Sequence, residues 1–367
     1  MITISLCMIV KNEEEVLARC LDSVADLMDE IIIVDTGSTD RTKEIAAGYT
    51  SRIFDFAWID DFAAARNFSF SKAKMEYCMW LDADDVMEET EKVKFLRLKE
   101  TISNHTDVVM MKYYTAFDEY GTPVFSYNRE RWIKNDSSHY WMGAVHEAIS
   151  PSGTIVYSDI AISHKKLKPG DADRNLKIYE KLLEEHRILE PRQQYYYGRE
   201  LYYHKQFRKA AEIFQIFIDI QGGWIENKIE ACALCSKCYI NLEQHTAALR
   251  TLLRSLEFDI PRAELCCDIG EYFLKQRNYK IAVYWYEAAL KTEKNEFGGG
   301  FVLPDCYDYI PYLQLCVCYD RMGDRKQAVE YNEKAGKCKP ESAAYLFNQR
   351  YFRMNSGPKA ETAFETL

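Results

Sequence analysis

The sequence predicts two architectures in series: an α/β domain with helices on both faces of a sheet over residues 1–172, then an all-α stack of helix pairs over residues 173–367. Three observations carry this reading. Short apolar runs at 2–10, 30–34, 77–81 and 108–113 alternate with helical spacing. One of those runs ends in three carboxylates, WLDADD. Beyond residue 173 a pattern of small, bulky, alanine and bulky positions returns four times.

Each element has its own signal. Residues 2–10 (ITISLCMIV) read as a buried strand, and Val16, Leu17, Cys20, Leu21 and Val24 then recur at helical spacing within 13–28. EIIIV at 30–34 is a second strand, followed by a helix after GSTDRT. Phe68–Lys74 falls in another helix, 77–81 is the strand that ends in acid, and 108–113 is a further strand. Short apolar strands joined by helices define an α/β sheet, whose ligands collect beyond the carboxyl ends of the strands. Residues 114–170 are rich in Tyr, Trp and His and carry no clear strand order.

The repeating sets are Gly198, Leu201, Ala210, Phe214; Ser236, Tyr239, Ala248, Leu252; Gly270, Phe273, Ala282, Tyr286; and Cys316, Tyr319, Ala328, Asn332. Their first members lie 38, 34 and 46 residues apart, with an insertion at EKNEFGGGFVLPD before the last. A small residue lets two helices approach, and neither helix of a pair can bury its face alone, so the pairs stack. An irregular helical bundle is the competing reading. Asn332 departs from the bulky pattern.

Composition excludes several roles. A net charge of −10 and the absence of a long Lys/Arg run argue against nucleic-acid binding. No run of about 20 apolar residues suggests a membrane span, and MITISLCMIV lacks the features of a signal peptide. The 12 cysteines fall mainly in helical stretches such as ACALCSKC, which favours buried thiols over zinc ligands or disulfides. These features predict a cytoplasmic protein, at most peripheral to the inner face of the membrane.

The acidic strand end carries the chemistry. Asp82 and Asp84 project to the same side of an extended segment. Carboxylates beside a buried strand are costly unless water, hydrogen bonds or a cation compensates them. Oxygen ligands suit Mg²⁺ or Mn²⁺, and those ions bridge to phosphate. The bland alternative is a charged turn. Asn12, Glu13 and Glu14 follow the first strand, and Asp35 follows the second, where it could accept a hydrogen bond from a base N–H. Arg66 in DDFAAARN offers a rigid donor fork for an acidic or phosphate-bearing site.

CMIVKNEE, IIIVDTGSTD, DDFAAARN and WLDADD, which cover most of residues 3–90, resemble the inverting family 2 glycosyltransferases of GT-A fold. That resemblance implies a UDP-sugar donor and Mn²⁺ or Mg²⁺. It assigns uracil recognition to Asp35 and the nucleotide pocket to Val10, Asn12 and Glu14. Asp82 would face ribose or metal, and Asp84 would hold the ion. A plain Rossmann dehydrogenase is a poor rival, because no G-x-G-x-x-G follows the first strand. Val145-His146-Glu147 and His164 resemble one branch of the same family, making His164 a third ligand to the ion, with a satisfied core histidine as the alternative. Glu147 is the expected catalytic base and His146 either orients it, binds substrate or takes the proton itself. The Glu-Asp pair common in relatives has no clear copy here. Trp132, Tyr140 and Trp141 are candidate platforms for a sugar ring, with ordinary packing as the alternative.

The layout as a whole resembles bacterial enzymes that glycosylate bacteriocin-type peptides, including on cysteine sulfur, and cell-envelope glycosyltransferases with tetratricopeptide-like repeats. A hexose or N-acetylhexosamine would pass to a peptide or protein acceptor, or else to a glycan or lipid-linked acceptor. The repeats could equally pair two copies into a homodimer. An inactive binding scaffold is the reading from a different class, and UDP binding that depends on metal separates the two.

Overall fold

The computed structural model describes residues 1–117, 121, 123–167, 171–294 and 302–354. Two compact units divide at Leu189 and Glu190. The first begins β1 (Ile4–Val10), α1 (Leu17–Val24), β2 (Glu30–Asp35), α2 (Thr42–Ala47), β3 (Ile53–Asp55), α3 (Phe62–Phe70) and β4 (Tyr77–Trp80). It continues β5 (Asp85–Val86), α4 (Glu89–Thr101), β6 (Val108–Phe117), β7 (Pro123–Lys134), β8 (Ile155–His164) and α5 (Arg174–Glu184).

The eight strands form one sheet in the order β3-β2-β1-β4-β7-β6-β8-β5. β1 is parallel to β2 on one side and to β4 on the other. The chain therefore reverses its direction of travel across the sheet at β1/β4, and a crevice opens there beyond the strand ends. Alternation along β1 explains the two covered faces. Leu6 and Met8 pack with Leu17, Leu21 and Val24 of α1, while Cys7 packs with Ile32, Val34 and Cys78 beneath Phe54 and Phe68.

Three details differ from the sequence expectations. RIFDF supplies a short strand, β3, so the acidic strand is the fourth. α3 starts at Phe62 because Asp61 caps it, its Oδ1 accepting from the Ala64 N–H at 2.8 Å. It ends at Phe70, so most of Phe68–Lys74 lies beyond the helix. Beyond Thr106 the sheet turns mixed: β6 and β7 are antiparallel, and β8 returns parallel to β6.

The second unit contains α6 (Pro191–Tyr203), α7 (Phe207–Asp219), α8 (Ile225–Asn241), α9 (His245–Leu253), α10 (Ala263–Lys275) and α11 (Tyr279–Ala289). It closes with α12 (Tyr309–Arg321), α13 (Arg325–Cys338) and α14 (Ala343–Met354). Four antiparallel pairs, α6/α7 to α12/α13, correspond to the four repeating sets. A methyl group added at Gly198 would sit 2.7 Å from the Phe214 ring, and one at Gly270 would sit 2.9 Å from Tyr286. The two other pairs trade bulk: Ser236 goes with the smaller Leu252, and Cys316 with the smaller still Asn332, all buried. Size complementarity thus explains the departure at Asn332.

A second periodic feature had no sequence signal. Lys205, Glu243, Arg277 and Gly323 all take positive φ, at 60°, 60°, 57° and 84°, in the turns within each pair. The turn geometry repeats even where the glycine that suits it does not. The predicted insertion before the last pair lies partly outside the described residues. All 12 cysteines are free and 11 are buried. Among the described residues no helix is long and apolar enough to cross a membrane.

Candidate active site

The crevice at β1/β4 is built by loops that brace one another. Asn12 takes a left-handed φ of 56°, which aims its side chain across to the loop after β2. Its Oδ1 accepts from the Thr39 N–H at 2.8 Å, and its own N–H donates to Ser38 Oγ at 3.0 Å. Glu14 accepts from the Arg41 N–H at 3.1 Å. Val10 is buried, and its carbonyl accepts from the Thr36 N–H. Asn12 and Glu14 thus shape the pocket through its backbone.

Asp35 is the residue of this group that is left with unused capacity. Its Oδ1 accepts from the N–H groups of Gly37 and Ser38 at 3.0 and 2.9 Å. Its Oδ2 is buried with no partner among the described residues. A buried acceptor without a donor is costly, so this oxygen suits a ligand N–H.

The acidic cluster forms because β5 pairs antiparallel with β8, setting Asp85 opposite His164. His164 Nδ1 lies 3.2 Å from Asp84 Oδ1 and 3.2 Å from Asp85 Oδ1, and 2.9 Å from the Tyr113 hydroxyl. Asp82, Asp85 and His164 each place one ligand atom within 4.8 Å of the others. Two carboxylates and an imidazole suit a hard-to-borderline divalent ion such as Mn²⁺.

Asp85 carried no role in the sequence reading. The structure replaces the expected extended segment with a turn, in which the Asp85 N–H donates to the Asp82 carbonyl at 3.0 Å, and this carries Asp85 into the core, where it is fully buried with Arg131 at 3.1 Å. Its Oδ1 accepts from Tyr113 at 2.8 Å, and its Oδ2 accepts from the Asp82 N–H at 3.1 Å. So heavily bonded, Asp85 serves first to hold the loop and His164 in place. Asp84, partly exposed, has freer oxygens.

α3 brings the second half of the site together. Arg66 Nε donates to Glu147 at 2.7 Å and its Nη2 donates to Asp82 at 2.8 Å, so one buried guanidinium joins the expected base to the acidic strand end. The next residue, Asn67, clamps the same loop by exchanging two hydrogen bonds with the backbone of Trp141, at 2.9 and 2.8 Å. Arg66 Nη1 is buried and unpartnered among the described residues. His146 adopts φ 52° beside Glu147, and its Nε2 is 3.5 Å from Asn175 of α5. Tyr179 of α5 donates to the Val145 carbonyl at 3.5 Å. α5 therefore packs with the first unit.

The aromatic candidates separate by burial. Trp132 is fully buried against Phe95, and Trp141 is 2% exposed against Trp80 and Phe70. Neither ring presents a face to a sugar as folded, because both belong to the core. Tyr140 is 60% exposed. Trp80, by contrast, is a hub that sequence reading missed: Arg66, Arg129 and Arg131 stack over its ring at 4.9, 4.7 and 3.9 Å. RERWIK in β7 supplies two of those cations.

The charges set the proton state. Burial by itself would raise the Asp82 carboxyl, but Arg66 outweighs it and lowers it to about 2. Burial would lower the His164 imidazole, yet hydrogen bonds to Asp84 and Asp85 raise it to about 10. Burial, with Asp84 and Asp82 nearby, raises Glu13 to about 7. A cation held by His164 would displace its proton, so metal affinity would rise with pH. We expect Mn²⁺ affinity to climb by up to about tenfold per pH unit between pH 6 and 8, with proton release visible as a buffer-dependent heat in calorimetry. For the metal-free fold the two groups act in the same direction, each lowering stability as pH rises, over different windows. Raised His164 stabilises fully below about 6.5 and loses this as pH rises to about 10. Raised Glu13 makes stability fall as pH rises from about 4.5 to 7.

Fold and site together define a GT-A-like α/β domain with a candidate metal-binding cluster, followed by tetratricopeptide-like repeats. Residues 5–155 match the family described as Glycosyl transferase family 2, which makes the first unit a family 2-like glycosyltransferase domain. The SPbeta prophage-derived glycosyltransferase SunS of Bacillus subtilis is 27% identical over 290 residues, 74% of this chain and 65% of SunS. A TPR repeat-containing protein of Synechococcus elongatus is 48% identical over 85 residues, 23% of this chain and 21% of that protein. The chain therefore spans less than two thirds of the length of these relatives. Among solved structures, glucosyl-3-phosphoglycerate synthase from Mycobacterium tuberculosis, in complex with Mn²⁺ and UDP-glucose, is 15% identical with a TM-score of 0.35, covering 51% of this chain and 80% of that one.

Proposed function

We propose that the protein is an inverting glycosyltransferase that moves a hexose or N-acetylhexosamine from a UDP-sugar to a peptide or protein acceptor. The observation that carries this reading is the joining, through Arg66, of Glu147 to the carboxylates that face His164. Asp84 and His164, with Asp82 and Asp85, would hold Mn²⁺ or Mg²⁺. When bound, that cation neutralises diphosphate and stabilises it as a leaving group.

The chain's own groups do the rest. The unpartnered Oδ2 of Asp35 accepts from uracil, and the braced loops of Val10, Asn12 and Glu14 frame the nucleotide. Glu147 takes the proton of the acceptor hydroxyl or thiol as that atom bonds to the anomeric carbon and the carbon–oxygen bond to UDP breaks. Arg66 orients Glu147 through the Nε hydrogen bond at 2.7 Å. His146, held left-handed against α5, fixes the loop that presents Glu147. Tyr140, 60% exposed on the same loop, would meet the acceptor.

The repeat unit supports a polypeptide acceptor, since stacked helix pairs present a long surface to an extended chain. Eleven buried free thiols suit the cytoplasm. The test is to incubate the protein with Mn²⁺ and UDP-glucose, UDP-GlcNAc or UDP-galactose, and to measure UDP release with and without Cys- and Ser-containing peptides. Peptide-stimulated release with sugar recovered on the peptide is the expected result. Release stimulated by glycans alone would move the acceptor to saccharide.

A further inference from the structure

Asp85 is one of the residues whose ligand atoms gather at the acidic end of β4, yet its oxygens are already occupied. Oδ2 accepts from the Asp82 N–H and from Arg131 Nη1, each at 3.1 Å. Oδ1 accepts from the Tyr113 hydroxyl at 2.8 Å and has His164 Nδ1 3.2 Å away. A carboxylate offers about four lone-pair sites, and these donors fill them. The side chain is also fully buried, so no face of it is open to an ion.

Tyr113 of β6 stands between Asp85 and His164. β6 runs parallel to β8 with Tyr113 in register with Ile162, which brings its side chain to the end of β8. The Tyr113 oxygen lies 2.9 Å from His164 Nδ1, nearer than Asp84 Oδ1 or Asp85 Oδ1, which are both at 3.2 Å. Its own hydrogen goes to Asp85 Oδ1. Having given up that hydrogen, the hydroxyl can only accept from the imidazole, and the two carboxylates likewise accept. All three neighbours of Nδ1 therefore ask it to carry a hydrogen. The bond made by one ring nitrogen decides which nitrogen is left for a metal, and here that nitrogen is Nε2. An ion on Nδ1 would have to expel the hydrogen and sit against the Tyr113 hydroxyl and a saturated Asp85.

The hydroxyl is held where it is by its ring. Tyr113 is 4% exposed. The Arg131 guanidinium lies over the ring at 4.4 Å, and Tyr127 and His164 meet it edge-on at 5.7 and 5.6 Å. Arg131 packs on Trp80 as well, at 3.9 Å, and donates to the Trp80 carbonyl at 3.0 Å. Its Nε and Nη2 have no hydrogen-bond partner among the described residues, so aromatic faces and Asp85 hold this cation in the core. One buried chain thus runs from Arg131 through Asp85 and Tyr113 to the imidazole.

We propose that Tyr113 is a positioning residue for a divalent cation. Its hydroxyl relays the hydrogen bond of His164 Nδ1 to Asp85, so that His164 meets the ion through Nε2. Asp82 and Asp84 then supply the carboxylate oxygens, and Asp85 acts on the ion only through the tyrosine and the histidine. The proposal rests on the metal-dependent reading above and deepens it: it separates the residues that touch the ion from those that aim them, and it brings in a tyrosine from a strand with no acidic motif.

The test uses the full-length protein and two readouts that need no turnover. Tyr113→Phe keeps the ring and its packing on Arg131 and removes one oxygen. Titration with Mn²⁺, followed by the paramagnetic resonance signal of the free ion, should show affinity about 10–100-fold below wild type, the usual cost of losing an outer partner of a ligating histidine. The second readout is the nitrogen-15 spectrum of the wild-type imidazoles with Zn²⁺, a diamagnetic ion that accepts the same ligand types. The His164 signal, identified among the seven histidines by its loss in His164→Gln, should show hydrogen on Nδ1 and metal on Nε2. A ring packed for structure alone would not set that choice. Metal on Nδ1, or Mn²⁺ affinity of Tyr113→Phe within about twofold of wild type, overturns the proposal and leaves the metal centre standing. A wild type that binds no Mn²⁺ overturns the metal-dependent reading and the proposal with it.

Discussion

Glu147→Gln lowers turnover by about 10²–10⁴-fold, the usual contribution of a positioned general base, while Mn²⁺-dependent UDP binding stays within about twofold of wild type. The amide oxygen can still accept from Arg66 Nε, which now donates to the carboxylate at 2.7 Å, so the loop keeps its main tether. What the variant loses is the ability to take the acceptor's proton. Single-turnover kinetics with UDP-sugar and peptide check the effect. Undiminished turnover would transfer the role of base to another group, with His146 next in line.

The second large effect is at Arg66. It is buried, touches two carboxylates, and lies 4.8–4.9 Å over the rings of Trp141 and Trp80. Removing one partner of a buried charge pair costs about 3–5 kcal/mol, because the charges left behind are unpaired. Arg66→Ala should therefore lower the melting temperature of the first unit by about 10 °C and abolish transfer, since Asp82 and Glu147 would repel one another. Arg66→Lys retains the charge but has no fork to span both carboxylates, so it should recover stability in part and activity very little. Thermal unfolding followed by circular dichroism, with turnover measured on the same samples, distinguishes the two losses. A melting temperature unchanged in Arg66→Ala would mean that the guanidinium does not hold the site together.

Both predictions concern a network that was only half legible in the sequence. WLDADD showed its carboxylates as a cluster at a strand end, but the extended geometry expected of Asp82 and Asp84 is a turn in the structure. That turn carries Asp85 inward, and a carboxylate pointing into a core demands a cation. That cation, Arg131, sits in RERWIK, within the stretch 114–170 whose strands have no clear order in the sequence. The arrangement depends on Arg131 crossing from β7 to the end of β4, a non-local fact with no local pattern. Trp132 and Trp141 failed as sugar platforms for a related reason. Composition identifies a large aromatic ring but not which face of the sheet receives it.

Local signals did better where the physics is local. Asp61 before a helical run is a capping signal that would have placed the start of α3 at Phe62. The small-to-bulky spacing of the repeats mapped directly onto helix pairs because it encodes one contact, Gly198 against Phe214, repeated with compensating sizes. α5 was harder. Its helical period continues into the repeats without a break, yet Asn175, Tyr179 and Lys181 face the first unit through His146, Val145 and Asp60. Periodicity reports a helix and says nothing of what it packs on.

The account stands on one claim, that the acidic end of β4 and His164 grip a divalent ion that in turn holds a nucleotide diphosphate. Calorimetric titration of UDP into the full-length protein tests it, in Mn²⁺ and again in chelator, for the wild type and Asp84→Ala. Binding at least about tenfold tighter with Mn²⁺ in the wild type, and no such gain in Asp84→Ala, is the predicted result. Equal UDP affinity with metal and with chelator in the wild type would contradict it.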